Sequence, residues 1–451
     1  MIFPQPILIL FCLMLPFVLV LKKKYEILSC WLALICMVDI FNSQAYLNLS
    51  ALKLTSIALI PFYIRELSSL FKIKQFRIIF YSFCYLLILA LYFSFVSPWV
   101  DETDFRPKKD LPPIRPILHL ASNILEFMAF VYFGKLASAN KKLVSIFFKS
   151  VIASGLVLSI SVLLELIFQF DFYHFFTSGT KLKFMSGRPR GFSYEPRGLA
   201  QSTGFALLIT IMYWKDIKTQ LKTLITITCF YLGFILPASA TAVISLCWGL
   251  ALILTIRLVT RRKIEIKTKQ ILQFLLCTAV IVVSTFLLPE KTVNTISSHF
   301  KERYTSLSSG SILSRLEDQE SSAMNFLIEN PAYLITGVGP GMIYIPGVDH
   351  REARFAESNP FTKSSPFNVL PHMGLILLLS NGGLIYLSLF AYLLTTSWKY
   401  LKQKPRSIEL VVLLFGLYLL QVRIPYLFFL SIVMMHSYNR GANHKLNREL
   451  T

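Results

Sequence analysis

The chain has 451 residues, 55% of them hydrophobic and only 15% charged, with a mean hydropathy of +0.59. Soluble proteins carry about 25% charged residues, and here the apolar residues come in blocks of membrane-spanning length, so a soluble multidomain enzyme is excluded. The net charge of +21 would point to nucleic acid in a soluble chain. In a membrane protein, basic inner loops set topology and meet anionic lipid, so no nucleic-acid partner is expected.

In chain order, apolar blocks fall at 4–21, 27–41, 50–70, 78–97, 116–137, 144–168, 198–214, 223–237, 239–259, 270–288, 370–397, 407–421 and 424–438. They predict an all-α polytopic integral membrane protein of about 12–13 transmembrane helices. The last two blocks are short, and a re-entrant hairpin is the alternative there. Ile2 to Leu21 has no leading positive charge and is followed by Lys22, Lys23 and Lys24. It reads as a first span with the N-terminus outside, not as a cleavable signal. From that start Lys and Arg concentrate in the proposed inner loops at 22–24, 72–77, 141–142, 215–222, 261–269 and 399–406.

Residues 1–288 are then expected to hold the first ten spans, with outer loops at 98–115 and 169–197. A large outer loop covers 289–369, C-terminal spans occupy 370–438, and 439–451 form a cytoplasmic tail. The large loop is predicted to be partly helical. Ser311 to Asn330 sets Leu313, Leu316, Met324, Leu327 and Ile328 mainly on one helix face, Pro331 stops that helix, and GVGPG at 337–341 forms turns. The seven cysteines (Cys12, Cys30, Cys36, Cys84, Cys229, Cys247 and Cys277) all lie in apolar blocks. That excludes a disulfide framework in the outer loops, and no Cys/His spacing resembles a zinc site.

Two segments carry chemistry. The first is GRPRGFSYEPRGLAQ, 187–201, which puts Arg188, Arg190 and Arg197 on the proposed outer side, against the usual bias of basic residues to the inside. Guanidinium groups bind phosphate through a planar, two-pronged fork and keep their charge at physiological pH. Gly187, Pro189, Gly191, Pro196 and Gly198 constrain the backbone around them. A lipid-linked diphosphate fits this cluster, with headgroup contact as the bland alternative. Glu195 either orients an arginine or meets sugar hydroxyls. The second segment begins at His372, where HMGLILLLSNGGLIY opens a span. A histidine at the mouth of a span suits a general base, and an interfacial histidine facing headgroups is its alternative.

The arginine segment, the large late loop with Arg315 and GVGPG, and His372 followed by Gly383 and Tyr386 come together in an order that resembles the O-antigen polymerase/O-antigen ligase superfamily of bacterial membrane glycosyltransferases. The likeness runs from roughly residue 100 to 438. It implies a metal-independent, inverting transfer from an undecaprenyl-diphosphate-linked glycan, with no cofactor, on the outer face of the bacterial inner membrane. By the same resemblance Arg188 or Arg190, with Arg315, are diphosphate candidates and His372 is the base; Arg197 joins the diphosphate set from its place in the cluster, with Glu195 and Arg423 as supporting residues. Glycan donor and acceptor, membrane lipids and a chain-length regulator protein are the partners to consider.

Glu195-Pro196 resembles polymerases more than ligases. Met373 stands where ligases prefer Asn, Ser or Gln, and Pro237 to Thr241 lacks the Ser-Arg pair of many relatives. Polymerisation of repeat units is therefore the leading expectation and ligation of finished glycan the second. A lipid-linked oligosaccharide flippase is third, because no repeated halves are visible. Arg351, Arg354 and His350 read by default as a solvated loop. Glu126 and Glu165 are intramembrane acids and so functional hypotheses, with an interfacial position as the plainer account of Glu165.

Overall fold

A computed structural model describes residues 5–41, 50–96, 114–140, 142–168, 170–178, 189–237, 239–260, 298, 318–347, 371–401, 405–422 and 425–435. Among these residues every regular element is a helix. In chain order they are α1 (Gln5–Leu21), α2 (Tyr25–Met37), α3 (Ala51–Phe71), α4 (Lys74–Phe95), α5 (Arg115–Ala139) and α6 (Lys142–Phe168). Then come α7 (Phe172–Ser178), α8 (Pro196–Met212), α9 (Thr219–Ile227) and α10 (Ala240–Val259). The C-terminal part holds α11 (Asp318–Glu329), α12 (Pro331–Thr336), α13 (Tyr344–Gly347), α14 (Gly374–Leu401), α15 (Pro405–Leu420) and α16 (Tyr426–Met435). Six are long and apolar enough to cross a membrane: α3, α4, α5, α6, Thr241–Val259 of α10 and Gly374–Trp398 of α14. Each meets the ~20 residues that a ~30 Å hydrocarbon layer requires. The expected span at 270–288 lies outside the described residues.

The chain divides into two compact units. The first comprises 1–59, 139–309 and 405–416. Its core is built on α6, packed against α2 and α8. Small residues let these helices approach: a Cβ on Gly155 of α6 would collide with Ala206 of α8. Helix α8 is buried from Gly198 through Thr210 on every side. A helix apolar or small all round is a core helix, not a lipid-facing one. After α9 the chain widens into a π-helix at Thr228–Ile235, with Leu236 N–H donating to Tyr231 C=O at 3.1 Å. The widened turn lets Gly233 meet α8, where Thr203 Oγ1 donates to its carbonyl at 2.7 Å. Side-chain insertion of this kind is a known cause of local helix distortion.

The second unit comprises 60–138, 310–404 and 417–451. Here Phe93 of α4 packs with Ala323, Phe326, Leu327, Val338, Met342, Ile343, Ile345 and Ile376. Helices do occupy the described residues 318–347, with two differences from the sequence expectation. Pro331 does not only stop a helix; it is the first residue of α12, where its missing N–H costs nothing. Leu327 is buried as expected and Met324 packs beside it, but Ile328 is 63% exposed, and Ala323 and Phe326 complete the buried face of α11. Leu313 and Leu316 lie outside the described residues.

Candidate functional site

In the first unit the arginine segment is fixed to the end of α6 by hydrogen bonds that reach 25 residues back along the chain or more. Glu165 is fully buried, and its Oε2 accepts the N–H of Arg190 at 2.9 Å and of Gly191 at 2.5 Å. Its Oε1 has no partner among the described residues. Ser161, one turn earlier, accepts from Phe192 N–H at 3.0 Å. Ser193 N–H closes back on Arg190 C=O at 2.9 Å, making a four-residue turn. Gly191 sits second in that turn with φ of 54°, the left-handed region that glycine enters without steric cost. Tyr194 N–H donates to Asp39 Oδ2 at 3.0 Å, tying the far side of the turn down as well.

A Cβ at Gly191 would collide with Ser161 Oγ and lie 3.1 Å from Val162 N. Gly191→Ala is therefore expected to combine strain of ~1–3 kcal/mol with a steric conflict, and to lower the melting temperature in detergent. A control such as Tyr194→Phe should leave it unchanged.

The guanidinium of Arg190 is held as firmly as its backbone. Nη1 donates to Tyr194 C=O at 3.0 Å, Nη2 pairs with Asp171 Oδ2, and the group lies over the Tyr173 ring at 5.6 Å. Asp171 also caps α7, its Oδ1 accepting His174 N–H at 3.0 Å, and its Oδ2 lies 2.9 Å from His174 Nδ1. Burial alone would raise the Asp171 carboxyl. The hydrogen bonds from Arg190 and His174 and the arginine charge outweigh it and hold the carboxyl below its ordinary value. Phe170, Phe172, Phe176 and Phe192 pack edge to face and stacked beside this cluster.

Arg197 occupies the second position of α8, behind Pro196, and its Nε lies 3.6 Å from Glu195 Oε2. Both are about a third exposed, so the pair contributes only ~0–1 kcal/mol. Arg190, Glu195 and Arg197 thus share one segment. Arg188, Arg315 and Arg423 lie outside the described residues.

His372 belongs to the second unit and is half-buried. Its N–H donates to Glu320 Oε1 of α11 at 2.6 Å, and its C=O accepts from Val422 N–H at 2.8 Å. Eleven residues further on, α14 is broken at Gly383 (φ 62°, ψ −162°), and GVGPG docks against the break. Val338 N–H donates to Ser380 C=O at 2.8 Å, Gly341 N–H to Asn381 Oδ1 at 3.2 Å, and buried Arg115 Nε to Gly341 C=O at 2.7 Å. Gly337, Gly339 and Gly341 all have positive φ, as tight turns demand.

Sequence reasoning passed over Asp171, His174, Arg115 and Glu320. The spacing Asp171-x-x-His174 was the one available signal, an acid at the cap and a histidine in the first turn of a short aromatic helix. Among the described residues no three His, Cys, Asp or Glu side chains converge in a metal-ligand arrangement. No protein-family model matches the chain, and a search of curated proteins returns no significant match.

Proposed function

We propose that this chain is a membrane glycosyltransferase that polymerises undecaprenyl-diphosphate-linked oligosaccharide repeat units on the outer face of a bacterial inner membrane. The reading takes the chain as crossing the membrane about 12–13 times, counting the shorter helices and the undescribed stretches. One observation carries it: an arginine fixed in backbone and side chain at the end of a long apolar helix, followed at once by a second arginine that opens a buried helix. A flexible basic loop would suit lipid headgroups equally well. A pre-positioned guanidinium is what a diphosphate leaving group requires, because charge develops on it as the glycosidic carbon is released. The resemblance supplies the substrate class and assigns the base to His372.

The test is a strain of the source organism lacking the gene, analysed by surface-glycan ladder and by lipid extraction. Loss of the ladder with accumulation of single repeat units on undecaprenyl diphosphate is the expected result. Long undecaprenyl-linked chains that fail to reach their final acceptor would make the chain a ligase. An unchanged glycan would overturn both.

A further inference from the structure

We infer that α12 and the GVGPG strip form a re-entrant segment that dips into the bilayer and turns Ala332, Ile335 and Thr336 toward lipid acyl chains. The segment falls in the middle of the stretch that the sequence marks as an outer loop, and its contact with lipid is independent of the reaction proposed above. Two apolar helices of the second unit, α4 and α14, give its depth. A Cβ on Gly337 would lie 2.5 Å from Gly382 N, and one on Gly382 would lie 3.2 Å from Leu86 Cδ2. Gly337, Gly382 and Leu86 are therefore at one level. Leu86 lies nine residues before Phe95, the last residue of α4, and Gly383 lies nine residues after Gly374, the first of α14. Phe93 and Ile376 pack in one cluster, so these two helix ends are on the same side of the membrane. At 1.5 Å per residue, both counts put the shared level ~13 Å in from the helix ends. Helices of 22 and 28 residues overrun a ~30 Å hydrocarbon layer by only ~2–6 Å at each end. The tip of the segment is thus ~7–11 Å inside the hydrocarbon.

The hydrogen bonds of the strip are those of a chain shielded from water. Thr336 C=O accepts from the Tyr85 hydroxyl at 2.8 Å, and Gly337 N–H donates to Tyr333 C=O at 2.7 Å. Val338 and Gly341 are held by Ser380, Asn381 and Arg115. Irregular backbone at membrane depth requires such partners from the protein, whereas in an aqueous loop water would serve. Gly337 to Gly341 are buried, but α12 beside them is open: Ile335 is 51% exposed, and Ala332 and Thr336 are exposed. The Thr336 hydroxyl donates to Ala332 C=O at 3.1 Å, the bond by which a threonine is satisfied within its own helix. At the same level Leu87 and Ile88 of α4 and Leu384 and Ile385 of α14 are exposed too. On membrane-crossing helices such residues meet hydrocarbon, and α12 continues that surface.

A water-filled vestibule over α12 is the competing account, since irregular backbone can also line a wet cavity. A nitroxide on Ile335→Cys separates the two, in the full-length chain with its seven native cysteines replaced by alanine. In phosphatidylcholine vesicles, electron paramagnetic resonance compares collision with oxygen, which concentrates in hydrocarbon, and with a water-soluble nickel chelate. Oxygen should dominate. Collision dominated by the chelate would put α12 in water, and weak collision with both would put it against protein; either result overturns the inference. Ile335→Asp in the otherwise native chain decides the matter should the cysteine-free protein fail to fold. Its melting temperature in lipid nanodiscs should fall well below that of the wild type, because a carboxylate is costly in hydrocarbon. Wild-type melting of that variant overturns the inference as well.

Discussion

Arg190→Ala will destabilise the protein by ~3–5 kcal/mol, because it strands a buried carboxylate. Asp171 is 8% exposed and Arg190 21%, so neither charge is solvated well enough to stand alone. The comparison that isolates the pair is a double-mutant cycle with Asp171→Asn, read by thermal melting in detergent. Asp171→Asn alone should cost less than Arg190→Ala, since a neutral amide still accepts from the guanidinium. The double variant should recover part of the loss, because no uncompensated charge remains. Additive costs would mean that the two groups are not coupled.

Arg190→Lys is the more telling change for function. It keeps the charge but replaces the two-nitrogen fork that reaches Asp171 and the Tyr194 carbonyl with a single ammonium, so on the proposed reading chain extension should fall far more than stability does. The pair also fixes a pH dependence. The Asp171 carboxyl is held below its ordinary 3.8. Its contribution is therefore complete above that value and lost as pH falls below it through the depressed folded-state pKa. Asp171→Asn should abolish that part of the acid sensitivity.

Gly383→Ala will be at least as damaging, by more than ~4 kcal/mol, the range reached when several named conflicts coincide. A Cβ there would collide with the Ile335 carbonyl and lie 2.6 Å from Gly337 N, and backbone atoms cannot swing aside as a side-chain tip can. The position also has φ of 62° with ψ of −162°, a region essentially reserved for glycine. Limited proteolysis supplies the second readout. With the junction broken, cleavage near Gly337 to Gly341 should appear at protease levels that leave the wild type whole. A variant that melts and resists proteolysis like the wild type would show that the GVGPG strip does not depend on the break.

The parts of this fold legible in the sequence are those written in periodicity and in proline or glycine. Long apolar runs gave α4, α5 and α6 nearly to their ends. Pro196 marks the start of α8, and the glycines of 337–341 mark a turn. The candidate site was half legible for the same reason. Arginines between prolines and glycines stand out in a hydrophobic chain, but their partners do not. Glu165 lies 25 residues before Arg190, inside a helix whose composition gives no sign that a turn will hang from it, and Asp171 lies 19 before, at the cap of the short helix α7. Arg115 and Glu320 were missed likewise, since each serves a backbone group more than 50 residues away. Such pairings are tertiary, and no local pattern encodes them.

The burial of α8 on all sides has a further consequence. Helices that touch lipid answer to hydrophobic mismatch: a thicker or thinner bilayer tilts them and shifts their ends by ångströms. A helix sheathed in protein is insulated from that adjustment. The arginine segment that runs into α8 keeps a position set by its neighbouring helices, so on the proposed reading changes in membrane composition should alter how substrate arrives without moving the groups proposed to receive it.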